Sequence, residues 1–361
     1  MQSSGKMRVP ERPDRALDGA RGAEARGHPS GARPPADRLR AALRDWRLKG
    51  AVQNLLSALP GGGRINDALQ TTLGELRDFE RNVGGKVSDW TGILSYLRAA
   101  GRGEVRDWEI FEIGSGWYPT LPVCFALAGA RRVATADLRR HLKPGLTLRM
   151  VRALAPHLER ISAACGRPLA EVEAEYRRFL AAADPGELFR AARLEYLAPQ
   201  DASRMERWAN GGLDLVYSNS VLEHVHPQAI PALMREARRL LKPGGLMVHA
   251  VACNDHYAHF DRRISFVNYL QFPESAWRRW NNDLNYQNRL RAPDFLRLAR
   301  ESGFEIVHEA RAVRPGTREA LATLRIAPEF AHYSREDLEA TTIDFVAAKG
   351  RADAAGGNVR P

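Results

Sequence analysis

Short apolar runs alternate with helical patterns through most of the chain. Strands are predicted at 108–113, 132–137, 194–199, 213–219, 246–252, 305–313 and 341–348. Each is brief, apolar and bounded by turn-forming residues. The clearest helix between them is Pro231–Leu241, where Leu233, Met234, Ala237, Leu240 and Leu241 share one face. It stops at Lys242-Pro-Gly-Gly245, which cannot continue a helix. Thr120–Leu127 reads as another helix, with Thr120 as N-cap and Pro122 in the first turn. Strands alternating with helices predict an α/β fold, a parallel sheet covered on both faces.

The ends of the chain differ from this core. Residues 1–36 are rich in Gly, Pro, Ala and Arg without periodicity and are expected to be disordered. Residues 37–105 form a helical preface. Leu39, Leu43, Trp46 and Leu48 make an apolar stripe that Val52, Leu55 and Leu56 continue. Pro60-Gly-Gly-Gly63 interrupts it, a second helical stretch runs from Ile65 to Val83, and a third covers Trp90–Ala99. The preface either closes over the ligand edge of the sheet or covers an exposed strand edge. Residues 106–349 are the main domain, and 350–361 a flexible tail. Two insertions, 143–193 and 253–292, exceed what the sheet needs. Beyond the strand ends, such segments are expected to shape a substrate pocket.

With 361 residues and 44% hydrophobic content, a globular core is affordable. No apolar run approaches the roughly 20 residues that span a bilayer, and Met1-Gln-Ser-Ser-Gly-Lys6 lacks a secretory apolar stretch. Cys124, Cys165 and Cys253 are scattered. They fit a reducing, cytoplasmic setting and offer no zinc spacing, so no metal is expected. The net charge is +11, yet only six of 54 basic residues are lysine. That bias matches a GC-rich genome, with Arg235, Arg238 and Arg239 on solvated helix faces. Nucleic acid is not the expected partner.

The chemistry concentrates where the first strand ends, at Glu112-Ile-Gly-Ser-Gly116. Glycines after a strand let backbone approach a nucleoside-containing ligand. Asp137 lies 21 positions past Gly116 at the end of the next strand, where a carboxylate can accept both ribose hydroxyls. By itself this pattern also allows a tight structural turn or an NAD(P)-dependent oxidoreductase. The Gly-x-Gly-x-x-Gly pattern of the latter is missing.

Two further blocks follow, Asp214-Leu-Val-Tyr-Ser-Asn-Ser-Val-Leu-Glu-His-Val225 and Leu240-Leu-Lys-Pro-Gly-Gly-Leu246. Together with Glu112–Gly116 and Asp137, they resemble the motifs of class I S-adenosylmethionine-dependent methyltransferases, over roughly residues 85 to 350. The resemblance implies a Rossmann-like sheet of seven strands, mostly parallel with an antiparallel last strand, and S-adenosyl-L-methionine as cofactor. It places Glu112, Gly114, Ser115 and Gly116 at the amino-acid end, Asp137 at the ribose and Asp201 at the adenine. Ser218, Asn219 and Ser220 fall beside the transferable methyl. Plain structural roles stay open for Glu112 (a strand-end carboxylate), Asp137 (a cap) and Asp201 (a turn). One position departs from the pattern: Tyr118 stands where the family often carries a third glycine. Trp117 and Tyr118 therefore make the loop bulkier.

Methyl transfer needs a nucleophile aligned about 3 Å behind the methyl carbon. An oxygen nucleophile must also lose its proton, and histidine suits that at neutral pH. Asn254-Asp-His-Tyr-Ala-His-Phe-Asp261 follows the fifth strand. It offers His256 as base, Asp255 or Asp261 to orient it, and Tyr257 and His259 as pocket walls. The same loop could instead anchor the insertion through hydrogen bonds. His224 either faces the pocket or is a satisfied structural histidine. Asn288 and Arg289 either bind substrate or cap the helix from Asp294, and Trp277 and Trp280 read as packing. The expected activity is methyl transfer to an oxygen or nitrogen of a small molecule, such as a sugar or natural product. A non-catalytic cofactor-binding module, an NAD(P)-dependent oxidoreductase and an RNA methyltransferase are the alternatives.

Overall fold

The structure, a computed structural model, describes residues 45–61, 65 and 78–351. The expected disordered N-terminus, the stretch 66–77 with Leu69, Leu73 and Leu76, and the tail from 352 lie outside the described residues. The strands are β1 (Glu109–Ile113), β2 (Arg132–Ala136), β3 (Leu194–Leu197), β4 (Leu213–Asn219), β5 (Leu241–Ala252), β6 (Phe304–Ala312) and β7 (Thr342–Lys349). They form one sheet in the order β3-β2-β1-β4-β5-β7-β6. Neighbours from β3 to β5 pair in parallel, and β7 runs antiparallel to both β5 and β6. The strand order reverses between β1 and β4, which opens a ligand-sized crevice at their carboxyl ends.

Period-two alternation splits the core into two layers. Ile110 and Leu215 face a cluster built by Trp90, Phe125, Met150 and Phe179, while Phe111 and Val216 face one built by Met234, Leu240 and Phe295. Helices α1 (Trp46–Ser57), α2 (Phe79–Ala99), α3 (Thr120–Leu127), α4 (Pro144–Ala153), α5 (Leu158–Cys165), α6 (Leu169–Leu180) and α7 (Pro185–Ala191) precede β3. Of these, α2 to α7 all contribute to the first layer. Helices α8 (Ile230–Leu240) and α9 (Ala292–Glu301) form the second. On α2, Phe79, Val83, Val87, Trp90, Ile93, Leu94 and Leu97 are all buried, one apolar stripe at helical spacing.

Several boundaries differ from the sequence reading. Pro119, not Thr120, is the N-cap of α3, and the cap makes no side-chain hydrogen bond. The turn Lys242–Gly245 lies inside β5 as an irregularity: Leu213 pairs with Leu241 but Leu215 with Leu246. Lys242 Nζ fixes it by reaching both Asp214 oxygens at 2.8 Å. On α1 the buried residues are Trp46, Gly50 and Gln53, whereas Leu48, Val52 and Leu55 of the expected stripe are exposed. Trp46 sets that orientation. It inserts among Tyr257, Phe272 and Trp280 of the second insertion, with centroid separations of 5.4, 5.7 and 5.1 Å. Among the described residues, no helix is long and apolar enough to cross a membrane.

Candidate active site

A cavity of about 420 Å³ sits over the carboxyl ends of β1, β2 and β4. Its floor is the β1–α3 turn. Gly114 and Gly116 hold φ of +83° and +68° there, a region costly for residues with a Cβ. The two glycines serve different ends. A Cβ on Gly114 would meet Val221 Cγ2 at 2.7 Å, so this glycine admits the β4 loop. A Cβ on Gly116 would have nothing within 4 Å and would project into open space.

Two carboxylates flank the floor, joined by a chain of hydroxyls. Glu112 and Thr135 are register partners on β1 and β2, so their side chains share a face. Thr135 Oγ1 donates to Glu112 Oε2 at 2.7 Å and lies 2.6 Å from Ser115 Oγ. The Ser115 N–H donates to Asp137 Oδ1 at 3.1 Å. Burial pushes the Glu112 carboxyl up to about 7, against the lowering effect of the Thr135 hydrogen bond. Burial also raises Asp137, opposed by the Ser115 hydrogen bond. Asp137 Oδ2 and Thr120 Oγ1 are buried with no hydrogen-bond partner, and both residues line the cavity. On a cavity wall such atoms are free to bond a ligand or solvent.

The opposite wall comes from α2, through Asn82, Gly85, Lys86 and Asp89. Asp89 Oδ2 accepts from Asn219 Nδ2 at 3.0 Å, which ties the helix to the end of β4. Lys86 Nζ stands 4.1 Å from the Tyr118 ring centroid, and Phe79 packs on the same ring at 5.0 Å. Tyr118 is thus the anchor of this wall. Ser220, at the end of β4, holds φ of +58°, a strained conformation of the kind found at binding sites. His224 completes the rim beside Val221.

Glu112, Gly114, Ser115, Gly116, Asp137, Asn219 and Ser220 therefore meet at one cavity, as the motifs implied. Other expected site residues do not reach it. Asp201 is exposed and accepts from its own Ser203 N–H and hydroxyl at 2.8 and 2.7 Å, a self-closed turn. Ser218 is buried under the sheet, 2.7 Å from His249 Nδ1. Burial lowers that imidazole to about 3, so it stays neutral.

The loop 254–261 is mostly an anchor. Asp255 accepts from the Tyr257 N–H and Asn268 Nδ2 at 2.9 Å, so it does not orient His256. Asp261 accepts from the Trp46 N–H and pairs with Arg263, which holds its carboxyl down at about 2. The Tyr257 hydroxyl donates to the Trp280 carbonyl at 2.7 Å, and His259 Nε2 lies 3.2 Å from Asn254 Oδ1, so neither is a cavity wall. Asn288 donates to the carbonyls of Leu222 and Val225. Arg289 is buried and spends its guanidinium on Phe272 O, Tyr269 O, Glu274 and Glu329. Both are braces, neither substrate contacts nor the cap of α9. His256 alone comes near the rim, 4.9 Å centroid to centroid from His224.

Neither insertion lines the cavity itself; α4 to α7 spend their apolar faces on the first core layer instead. The sequence reading missed Asn82, Lys86, Asp89 and Thr120. The signal for the first three was present as polar positions at helical spacing that flank the apolar stripe of α2.

A family model described as a methyltransferase domain matches residues 100–309, more than half of the chain. No curated protein matches. Among solved structures, the chain is similar to phospholethanolamine N-methyltransferase 2 of Haemonchus contortus, at 16% identity and TM-score 0.40, over 73% of this chain and 53% of that one. The similarity thus spans about half the length of that protein. Magnesium protoporphyrin IX methyltransferase of Synechocystis PCC 6803 aligns at 14% identity and TM-score 0.40, over 75% and 84% of the two chains. Geranyl diphosphate C-methyltransferase of Streptomyces coelicolor A3(2) aligns at 14% and 0.42, over 75% and 83%. On its family match, its motifs and its sheet order, the chain belongs to the methyltransferase-domain family, as a class I enzyme dependent on S-adenosylmethionine.

Proposed function

We propose that this enzyme methylates an oxygen or nitrogen of a small polar molecule, such as a sugar or natural product, that enters past Ser220 and His224. The carrying observation is the pair of unpartnered buried atoms, Asp137 Oδ2 and Thr120 Oγ1, on a cavity wall left open at Gly116. They fit the hydroxyl-rich half of S-adenosylmethionine. The cofactor, when bound, supplies a methyl group on a positively charged sulfur. Asp137 Oδ2 would accept from a ribose hydroxyl. Glu112, once ionised, would hold the ammonium of the amino-acid end. Asn82, Lys86 and Asp89 would exclude water from the opposite side, which makes α2, the described end of the preface 37–105, a cap on a catalytic domain of residues 106–349.

A cavity of about 420 Å³ suits one ligand of cofactor size, so the acceptor must approach at the rim. Its polar groups there, Asn219, Ser220 and His224, favour a hydroxyl or amine. His256 and its neighbour His224 would take up the proton such an acceptor loses. Cys124, Cys165 and Cys253 are free thiols, which supports a reducing, cytoplasmic setting.

The test is calorimetric titration with S-adenosylhomocysteine and, separately, with NADH. Incubation with isotopically labelled S-adenosylmethionine and fractionated metabolite extract follows. Binding of the first compound only, and label appearing in a small molecule, supports the reading. NADH binding, or label in RNA alone, overturns it.

A further inference from the structure

At the cavity rim, one carboxylate oxygen of Glu223, one ring nitrogen of His224 and one of His256 lie within 4.8 Å of one another. We propose that these three residues bind a divalent transition-metal ion whose open positions face the acceptor side of the cavity. The chemistry of each ligand supports this. His224 Nδ1 lies 2.8 Å from the Tyr286 carbonyl. A carbonyl only accepts, so Nδ1 carries the hydrogen and Nε2 keeps the lone pair a metal requires. A backbone carbonyl behind a ligating imidazole is the usual device for fixing its tautomer and direction. Glu223 is 1% exposed, and its Oε1 accepts from the Ala252 N–H at 3.2 Å. A buried carboxylate facing two imidazoles gains most from a cation between them.

The triad is also held in place. A single segment, 286–288, braces both halves. Besides Tyr286, the Asn288 N–H donates to Glu223 O at 2.9 Å. Asn288 Nδ2 donates to Leu222 O and Val225 O at 2.6 and 2.9 Å. Gln287 Oε1 accepts from the His256 N–H at 3.4 Å, and Gln287 Nε2 donates to Asn254 O. Asn288, read from sequence as a substrate contact or cap, thus belongs to the support of a ligand set. Glu223 and His224 come from the loop after β4 and His256 from the loop after β5, so no spacing in the sequence announces the cluster.

Two imidazoles and one carboxylate suit zinc, cobalt, iron or manganese better than magnesium or calcium. Three protein ligands leave at least one position open, the arrangement of catalytic rather than structural sites. His224 lies on the cavity wall, so that position would take an acceptor oxygen or a water. An acceptor hydroxyl bound there would lose its proton to solvent more readily, and the imidazoles would then act through the ion rather than as free bases. This use of the ion rests on the methyl-transfer reading; binding of the ion does not.

The experiment uses the full chain, stripped with a chelator and titrated with Co²⁺ under visible absorption, then with Zn²⁺ in a calorimeter. The expected result is one high-affinity equivalent with a cobalt d–d band. Glu223→Gln, His224→Gln and His256→Gln should each weaken binding at least tenfold, with His259→Gln as an unchanged control and thermal melting to confirm folding. Folded wild-type protein without a stoichiometric cobalt site, or equal affinity in folded variants, would overturn the proposal. Cobalt binding by a wild-type chain that ignores S-adenosylhomocysteine would uphold the metal site and sink the methyl-transfer reading.

Discussion

The turn after β1, with Glu112 and Asp137 beside it, and the loop after β5 stand at the same end of one sheet, and both regions carry acidic and hydroxyl side chains. Their hydrogen bonds are spent differently. Around the first, one oxygen of Asp137 and the hydroxyl of Thr120 are buried and unpartnered. In the second, Asp255, Tyr257 and Asp261 direct their polar atoms at Asn268, Trp280, Trp46 and Arg263. A cluster of reactive side chains becomes a binding wall only when its hydrogen-bonding capacity remains unspent. Otherwise it is a brace, in this case the one that seats α1 on the second insertion.

Substitutions sharpen this contrast. The largest effect should come from the bracing side. Arg289→Met takes the donor from the Phe272 carbonyl and the cation from Glu274 and Glu329 and is expected to cost about 3 kcal/mol of stability. Denaturant unfolding would show it, while affinity for S-adenosylhomocysteine in the folded protein stays unchanged. The opposite pattern would make Arg289 a ligand contact after all. Asp137→Ala should do the reverse, weakening S-adenosylhomocysteine by about 2 kcal/mol, roughly thirtyfold, in calorimetry, with a small change in melting temperature.

Glu112 gives a pH signature. Its folded-state value near 7 lies above the ordinary 4.5, so the unliganded protein holds this proton more tightly than the unfolded chain. The stability this group contributes is full below about pH 4.5 and lost as pH rises to about 7, and protonation removes the charge that would hold an ammonium. Affinity for S-adenosylhomocysteine is therefore expected to fall by up to about tenfold per pH unit below 7 and to level off above it. Glu112→Gln should flatten that profile; a wild-type affinity indifferent to pH between 5 and 8 would remove Glu112 from the ammonium site. The smallest effect belongs to Asp201→Ala. An exposed turn aspartate should change both stability and cofactor affinity by less than about 0.5 kcal/mol.

The sheet was legible in the sequence because each strand is short, apolar and ended by a turn. All seven predicted strands appear, within a few residues, except that β5 begins at Leu241. That extension depends on Lys242 reaching back to Asp214, a contact between distant positions. The floor of the site was legible for the same local reason, since Glu112 to Gly116 and Asp137 end neighbouring strands. The far wall was not, because Asn82, Lys86 and Asp89 acquire meaning only once α2 packs across the crevice. The loop 254–261 misled because composition reveals which groups are present and not which partners satisfy them. Asp201 and Ser218 show the same limit in miniature: one closes on its own turn, the other beneath the sheet on His249.

The most direct test is a crystal structure of the full chain with S-adenosylhomocysteine bound. The account predicts a ribose hydroxyl within hydrogen-bond distance of Asp137 Oδ2, the ligand's chain running over Gly116, and its ammonium beside Glu112. A ligand seated elsewhere, or Asp137 turned away from the ribose, would contradict it.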